Sequence, residues 1–261
     1  MRGEPVAIQT LIDGNNSTVA MQARNVTNAI ELRKSIAAIA STAGLNAPPI
    51  EARPRVLFNP DMKTANFMVP GLVGIVMQVV TMFLTAFAIV REKETGTLEQ
   101  LMVTPVSRMG LMLGKLLPYA VVGFIEMVFA LALMWFLFRV PIAGNVFLLG
   151  LFGMIFVVTT LGMGLLISAI AQNHMQAVQL ALVFMLPSIL MSGFIVPSES
   201  MQPPLCAVAH VIPATYWVRI LRGVILRAAG VSDLWRQGAY MIVIGVVVLF
   251  VAASRFRKTL T

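Results

Sequence analysis

Apolar positions recur on two scales along this chain. Up to about residue 66 they are short and mixed with polar residues; from residue 67 onward long apolar runs dominate. In the first part, Val6-Ala-Ile-Gln-Thr-Leu-Ile12 reads as a short strand closed by the turn pair Asp13-Gly14. Ser17 to Ile39 reads as a helix, with Val19, Val26, Ile30 and Ile36 as its apolar positions among Arg24, Glu31, Arg33 and Lys34. Pro48-Pro49 breaks the pattern. Glu51 to Phe58 reads as a second strand, which Pro54 confines to a sheet edge because proline has no N–H for a ladder.

Five apolar runs follow, at about 67–90, 116–138, 146–171, 177–196 and 234–253. Each meets the roughly 20 residues that a helix needs to cross a bilayer. The expected fold class is predominantly α: a polytopic helical membrane protein with five spans, a transmembrane domain over 67–261, and a small α/β segment over 1–66. Composition fits a bilayer: 58% of the 261 residues are hydrophobic and 11% charged. The formal charge of +8 would point to nucleic acid in a soluble protein. Here basic residues flank spans and face anionic lipid, so the bilayer is the expected partner and nucleic acid is not. The single cysteine, Cys206, excludes an intrachain disulfide. His174 and His210 are far apart in sequence, and no metal site is expected.

Charge concentrates between the first two runs, in Arg91-Glu-Lys-Glu-Thr-Gly-Thr-Leu-Glu-Gln100, with Arg108 and Lys115 just beyond. Lys and Arg in short loops mark the cytoplasmic side. This loop and the tail Arg255-Phe-Arg-Lys258 are therefore both expected there, which puts the 139–145 loop, the 197–233 region and residues 1–66 outside. Arg219, Arg222 and Arg227 oppose that assignment. They read as part of an amphipathic hairpin, Tyr216 to Arg227, lying at the outer interface. An extracytoplasmic 1–66 segment with no preceding span leads to the expectation that an upstream membrane helix is missing from this reading frame.

Within the charged loop, Gly96 breaks any helix continuing from the first span. Thr97-Leu-Glu-Gln100 then fits a capping box, with Leu98, Leu101 and Met102 as the apolar face of a short surface helix that Thr104-Pro105 stops. The segment reads as a docking surface for a soluble partner, or as a solvated connector. Inside the second run, Glu126 is the acid of the predicted spans. Burying it costs roughly 2.5–3.5 kcal/mol, so it faces a helix interface or a substrate path. Pro187 removes a backbone hydrogen bond beside Ser188 and Ser192, which predicts a kink. Gly164…Ser168 and Ala177…Ala181 are small-residue pairs that permit close helix contact. No nucleotide-binding loop, metalloprotease or hydrolase motif is present: Gly110 to Leu116 has the wrong spacing for a phosphate loop. No catalytic residue is expected, and any energy source lies on another chain.

Several ordered stretches resemble the membrane subunit of type-2 ATP-binding-cassette (ABC) exporters. They are Phe67-Met-Val-Pro-Gly71, Ile89 through Val106, Gly114-Lys-Leu-Leu-Pro-Tyr119, Leu186 through Pro197, and Ile212-Pro-Ala-Thr-Tyr216 through Leu221-Arg-Gly223. The Val6–Gly14 strand and Asn59-Pro60 resemble the extracytoplasmic domain of the bacterial multidrug-type branch. The resemblance implies a multi-pass subunit of the bacterial inner membrane, paired with a second permease subunit as a homo- or heterodimer. It implies a cytoplasmic ATPase subunit that holds ATP and Mg, with no cofactor on this chain. It maps the ATPase-coupling helix onto Arg91, Glu92, Lys93, Glu94, Thr97, Leu98, Glu99, Gln100 and Leu101, and a re-entrant helical pair onto about 203–227. The family's first span is expected to be missing from this reading frame. The implied activity is export of a hydrophobic or amphipathic, drug- or lipid-like substrate. The alternatives are a proton-coupled secondary transporter using Glu126, or a non-transporting assembly factor. Glu126, Pro187, Ser188 and Ser192 are the candidates for a substrate path or helix interface.

Overall fold

The computed structural model describes residues 7–14, 17–41, 51–96, 108–195 and 201–255. The chain divides into two compact units, Met1–Phe67 and Met68–Thr261.

The first unit is a strand–helix–strand motif. β1 (Ala7–Asp13) and β2 (Glu51–Leu57) pair in parallel, with Ala7 opposite Glu51 and Asp13 opposite Leu57. Parallel strands need a crossover, and α1 (Ser17–Ser41) supplies it. Pro54 sits opposite Thr10 in this two-stranded sheet, where each strand is an edge and the missing N–H costs little. After β2 the chain turns at Asn59, which is 2% exposed. Its side-chain oxygen accepts from Lys63 N (3.2 Å) and Asn66 Nδ2 (3.0 Å), and its amide donates to Lys63 O (3.0 Å).

The second unit is helical. It comprises α2 (Thr64–Glu94, which begins in the first unit), α3 (Arg108–Phe136), α4 (Val146–Ile170), α5 (His174–Met191), α6 (Pro203–Ala209), α7 (Pro213–Arg227) and α8 (Val231–Arg255). Among the described residues, five helical stretches are long and apolar enough to cross a membrane: Thr64–Glu94, Gly114–Phe136, Val146–Ile170, His174–Met191 and Val231–Arg255. The protein is thus a multi-pass helical membrane protein. Asn145 starts α4 by accepting from Phe147 N (2.8 Å), and Asn173 starts α5 by accepting from Gln176 N (2.8 Å). Gly96, at φ +71°, ends the α2 run in the left-handed region that glycine enters without strain.

α4 is the packing axis. Its neighbour α8 meets it through small residues seven apart: Gly238 lies against Phe152, and Gly245 against Thr159. Ala252 continues the row and is fully buried. This close approach is the packing that lets helices associate where lipid removes the hydrophobic drive. On its other side, Gly164 faces Met82 and Thr85 of α2. Ala177 and Ala181 of α5 join Met82, Ala86 and Val90 of α2 and Ile167 of α4 in one buried cluster. Both small-residue pairs thus lie at helix contacts.

The helix pair α6–α7 occupies the 203–227 region expected to hold a helical pair. The two helices bend by 84°, and α7 is buried nearly all round, with Trp217 at 0% and Tyr216 at 3% exposure. Trp217 stacks on Phe156 of α4 at 5.3 Å. The arginines that gave α7 an amphipathic look face protein as well as solvent. Arg222 donates to the carbonyls of Gly193 (2.8 Å) and Phe194 (3.2 Å), which follow α5. Gly71 of α2 completes this junction, because a methyl there would stand 3.0 Å from Arg222 Nη2.

Candidate functional site

The charged end of α2 is bonded to three other helices of the helical unit. The apolar run carries the helix through Val90, and Arg91, Glu92, Lys93 and Glu94 form its last turn. Successive residues of a helix point in different directions, and here each of the last three reaches a different neighbour. Glu92 forms an ion pair with Lys115 of α3. Lys93 Nζ donates to Ser168 O (3.0 Å) and Ala171 O (2.9 Å) at the end of α4. Glu94 Oε1 accepts from His174 N (2.7 Å), the first N–H of α5.

The electrostatics follow from helix ends. The last carbonyls of α4 have no partner within their own helix, and the first N–H groups of α5 likewise have none. A cation suits the negative end of α4 and a carboxylate suits the positive end of α5. Because α4 and α5 are joined by the short turn 171–173, adjacent residues of α2 satisfy both ends at once. Arg91 is exposed at the same level.

The structure therefore places Arg91, Glu92, Lys93 and Glu94 at the end of a spanning helix, where Glu92, Lys93 and Glu94 are engaged with other helices. Thr97, Leu98, Glu99, Gln100 and Leu101 lie outside the described residues. Sequence reasoning missed Lys115, Ser168, Ala171 and His174 as partners. Only Lys115 carried a signal, as a charge at the start of an apolar run.

Higher along α2, Gln78, Thr81 and Thr85 form a buried polar row at spacings of three and four. Thr81 Oγ1 donates to Glu126 Oε2 of α3 at 2.8 Å. Gln78 Nε2 donates to Ser188 Oγ of α5 at 2.8 Å, and Ser188 in turn donates to Phe184 O at 2.8 Å. Glu126 is thus hydrogen-bonded to a neighbouring helix. α5 runs as a helix through Pro187 to Met191. Ser192, 1% exposed, caps its end and accepts from Phe194 N at 3.3 Å. Glu126 and Ser188 thus join α2 from different helices, one turn apart. Among the described residues no group of His, Cys, Asp and Glu has the arrangement of a metal site.

Comparison with known proteins agrees with this architecture. Residues 1–254 match the family described as ABC-2 family transporter protein. The chain is 38% identical over 208 residues to the probable multidrug ABC transporter permease YbhS of Escherichia coli K12, covering 79% of this chain and 52% of that protein. It is 28% identical over 251 residues to the probable multidrug ABC transporter permease YbhR of the same strain, covering 96% and 68%. It is 30% identical over 218 residues to the inner membrane transport permease YhhJ, again of that strain, covering 82% and 57%. The chain spans about half the length of YbhS, and somewhat more of YhhJ. The extent and identity of these matches, over a multi-pass helical fold, make this chain a member of the ABC-2 transporter family.

Proposed function

We propose that this chain is the permease subunit of an ATP-driven ABC exporter of the bacterial inner membrane. It moves a hydrophobic or amphipathic, drug- or lipid-like substrate outward. A separate cytoplasmic ATPase subunit holds ATP and Mg and docks on the segment from Arg91 to Leu101, so that the end of α2 and the C-terminus face the cytosol. A second permease subunit, identical or related, completes the pathway. The relatives named as multidrug ABC transporter permeases support the substrate class.

One observation carries this reading. Glu92, Lys93 and Glu94 tie the last turn of α2 to α3, α4 and α5 respectively. A force applied beside that turn is passed to three other helices, because charge-assisted contacts hold them to it. Binding and hydrolysis on the partner then shift the bundle between arrangements by differential contact at this end.

The test is reconstitution of the chain with its candidate ATPase in proteoliposomes. Export should require both proteins and hydrolysable ATP, and should stop when the ATPase nucleophile-activating carboxylate is removed. Gradient-driven flux from the permease alone would overturn the reading.

A further inference from the structure

An open cleft of about 430 Å³ lies along one face of α2, lined by Leu84, Phe87, Ala88, Arg91 and Glu94, with His174 of α5 as its wall. The α2 positions follow helical spacing and form a single stripe. The His174 ring packs on Phe87 with centroids 4.4 Å apart. The cleft has two halves. Leu84, Phe87 and Ala88 are apolar and continue into the exposed row Val80, Val76 and Leu72, which climbs α2 every four residues. Arg91 and Glu94 carry opposite charges one turn apart, and both are exposed. They form no ion pair with each other among the described residues. Glu94 gives one carboxylate oxygen to His174 N.

Read from the middle of the span toward its end, the groove presents apolar surface, then a cation, then an anion. A phospholipid with an ethanolamine head presents the complementary order: acyl chain, phosphate, ammonium. We propose that this cleft binds a phosphatidylethanolamine-type lipid of the leaflet that meets this end of α2. The acyl chain lies along Val76, Val80 and Leu84, the phosphate on the Arg91 guanidinium, and the ammonium on Glu94. The planar fork of arginine matches phosphate geometry. Side chains three apart on a helix start about 5–6 Å from each other, which suits charges joined by an ethylene bridge. The carboxylate selects among heads: an ethanolamine ammonium has N–H groups to donate, choline has none, and glycerol brings no cation. Arg91 and Glu94 also belong to the segment proposed to receive the ATPase; lipid retention is measured on the chain alone, without any ATPase, so either proposal can fail without the other.

The test is native mass spectrometry of the purified full chain after exchange into mixed micelles holding equal amounts of palmitoyl-oleoyl phosphatidylethanolamine, phosphatidylcholine and phosphatidylglycerol. The wild-type chain should retain phosphatidylethanolamine about fivefold over either competitor, equivalent to about 1 kcal/mol. Glu94→Gln keeps an oxygen for His174 N, and so preserves the turn. It should abolish the preference over phosphatidylcholine. Arg91→Gln should lower retention of all three lipids. Equal retention of the three lipids by the wild type, or an unchanged preference in Glu94→Gln, overturns the proposal.

Discussion

Lys93 Nζ lies 2.9 Å from the carbonyl oxygen of Ala171, so the ammonium of one spanning helix closes the end of another. A charged side chain is kept at a membrane boundary because it completes hydrogen bonds that α4 cannot make for itself. Lys93→Met preserves the aliphatic stem and removes the donor. It should lower the stability of the purified chain by about 1–2 kcal/mol, read as a reduced midpoint of thermal unfolding in detergent. An unchanged midpoint would show that solvent caps α4 equally well.

The ion pair between Glu92 and Lys115 joins α2 to α3 with side-chain exposures of 34% and 12%. Such partial exposure limits its strength, and a double-mutant cycle should return a coupling of about 1 kcal/mol. Glu92→Lys alone should destabilise the chain, and adding Lys115→Glu should recover part of the loss. Strictly additive effects would contradict a direct pair.

Arg222 and Gly71 form a second junction, between α7, the end of α5 and α2. Arg222→Met leaves the carbonyls of Gly193 and Phe194 without this donor and should cost about 2 kcal/mol. Gly71→Ala inserts a methyl 2.6 Å from Phe194 Cδ2 and should cost a similar amount, about 1–3 kcal/mol. Because both act on one contact set, the double variant should lose less than the sum. Thermal unfolding of the three variants settles this.

Glu126 accepts from Thr81 at mid-span. Glutamine keeps an oxygen in the same place, so Glu126→Gln should fold normally and retain ATP-dependent export in proteoliposomes. Loss of export with retained ATPase activity would instead make this carboxylate a proton or substrate ligand.

Much of the fold was legible because hydrocarbon imposes a strong rule: a spanning segment must be apolar and helical. The runs near 146–171 and 234–253 became α4 and α8 within a few residues. Gly96 was readable as a stop, and its φ of +71° is the physical reason. Other features were hidden by two kinds of ambiguity. Arg219, Arg222 and Arg227 among Tyr216 and Trp217 look like an interfacial helix, since amphipathicity does not say whether the polar side meets water or a carbonyl; Arg222 meets carbonyls. The charged run 91–94 read as a docking surface or a solvated connector, with no sign of its contacts to other helices, because sequence shows charges but not helix ends. Its partners Ser168, Ala171 and His174 act through backbone groups, which every residue has. The small-residue row Gly238, Gly245 and Ala252 was not singled out in the sequence, and the fold shows Gly238 and Gly245 against α4.

The central claim is that mechanical force enters the membrane helices beside the last turn of α2. The most direct measurement is the ratio of substrate exported to ATP hydrolysed in proteoliposomes holding the chain and its ATPase, compared between the wild type and the charge reversals Glu94→Lys and Glu99→Lys. The account predicts that both variants insert and leave basal hydrolysis in place while the ratio falls at least about tenfold, the size of an interaction of about 1.4 kcal/mol if it were read as an affinity change. Wild-type ratios in both variants would contradict it.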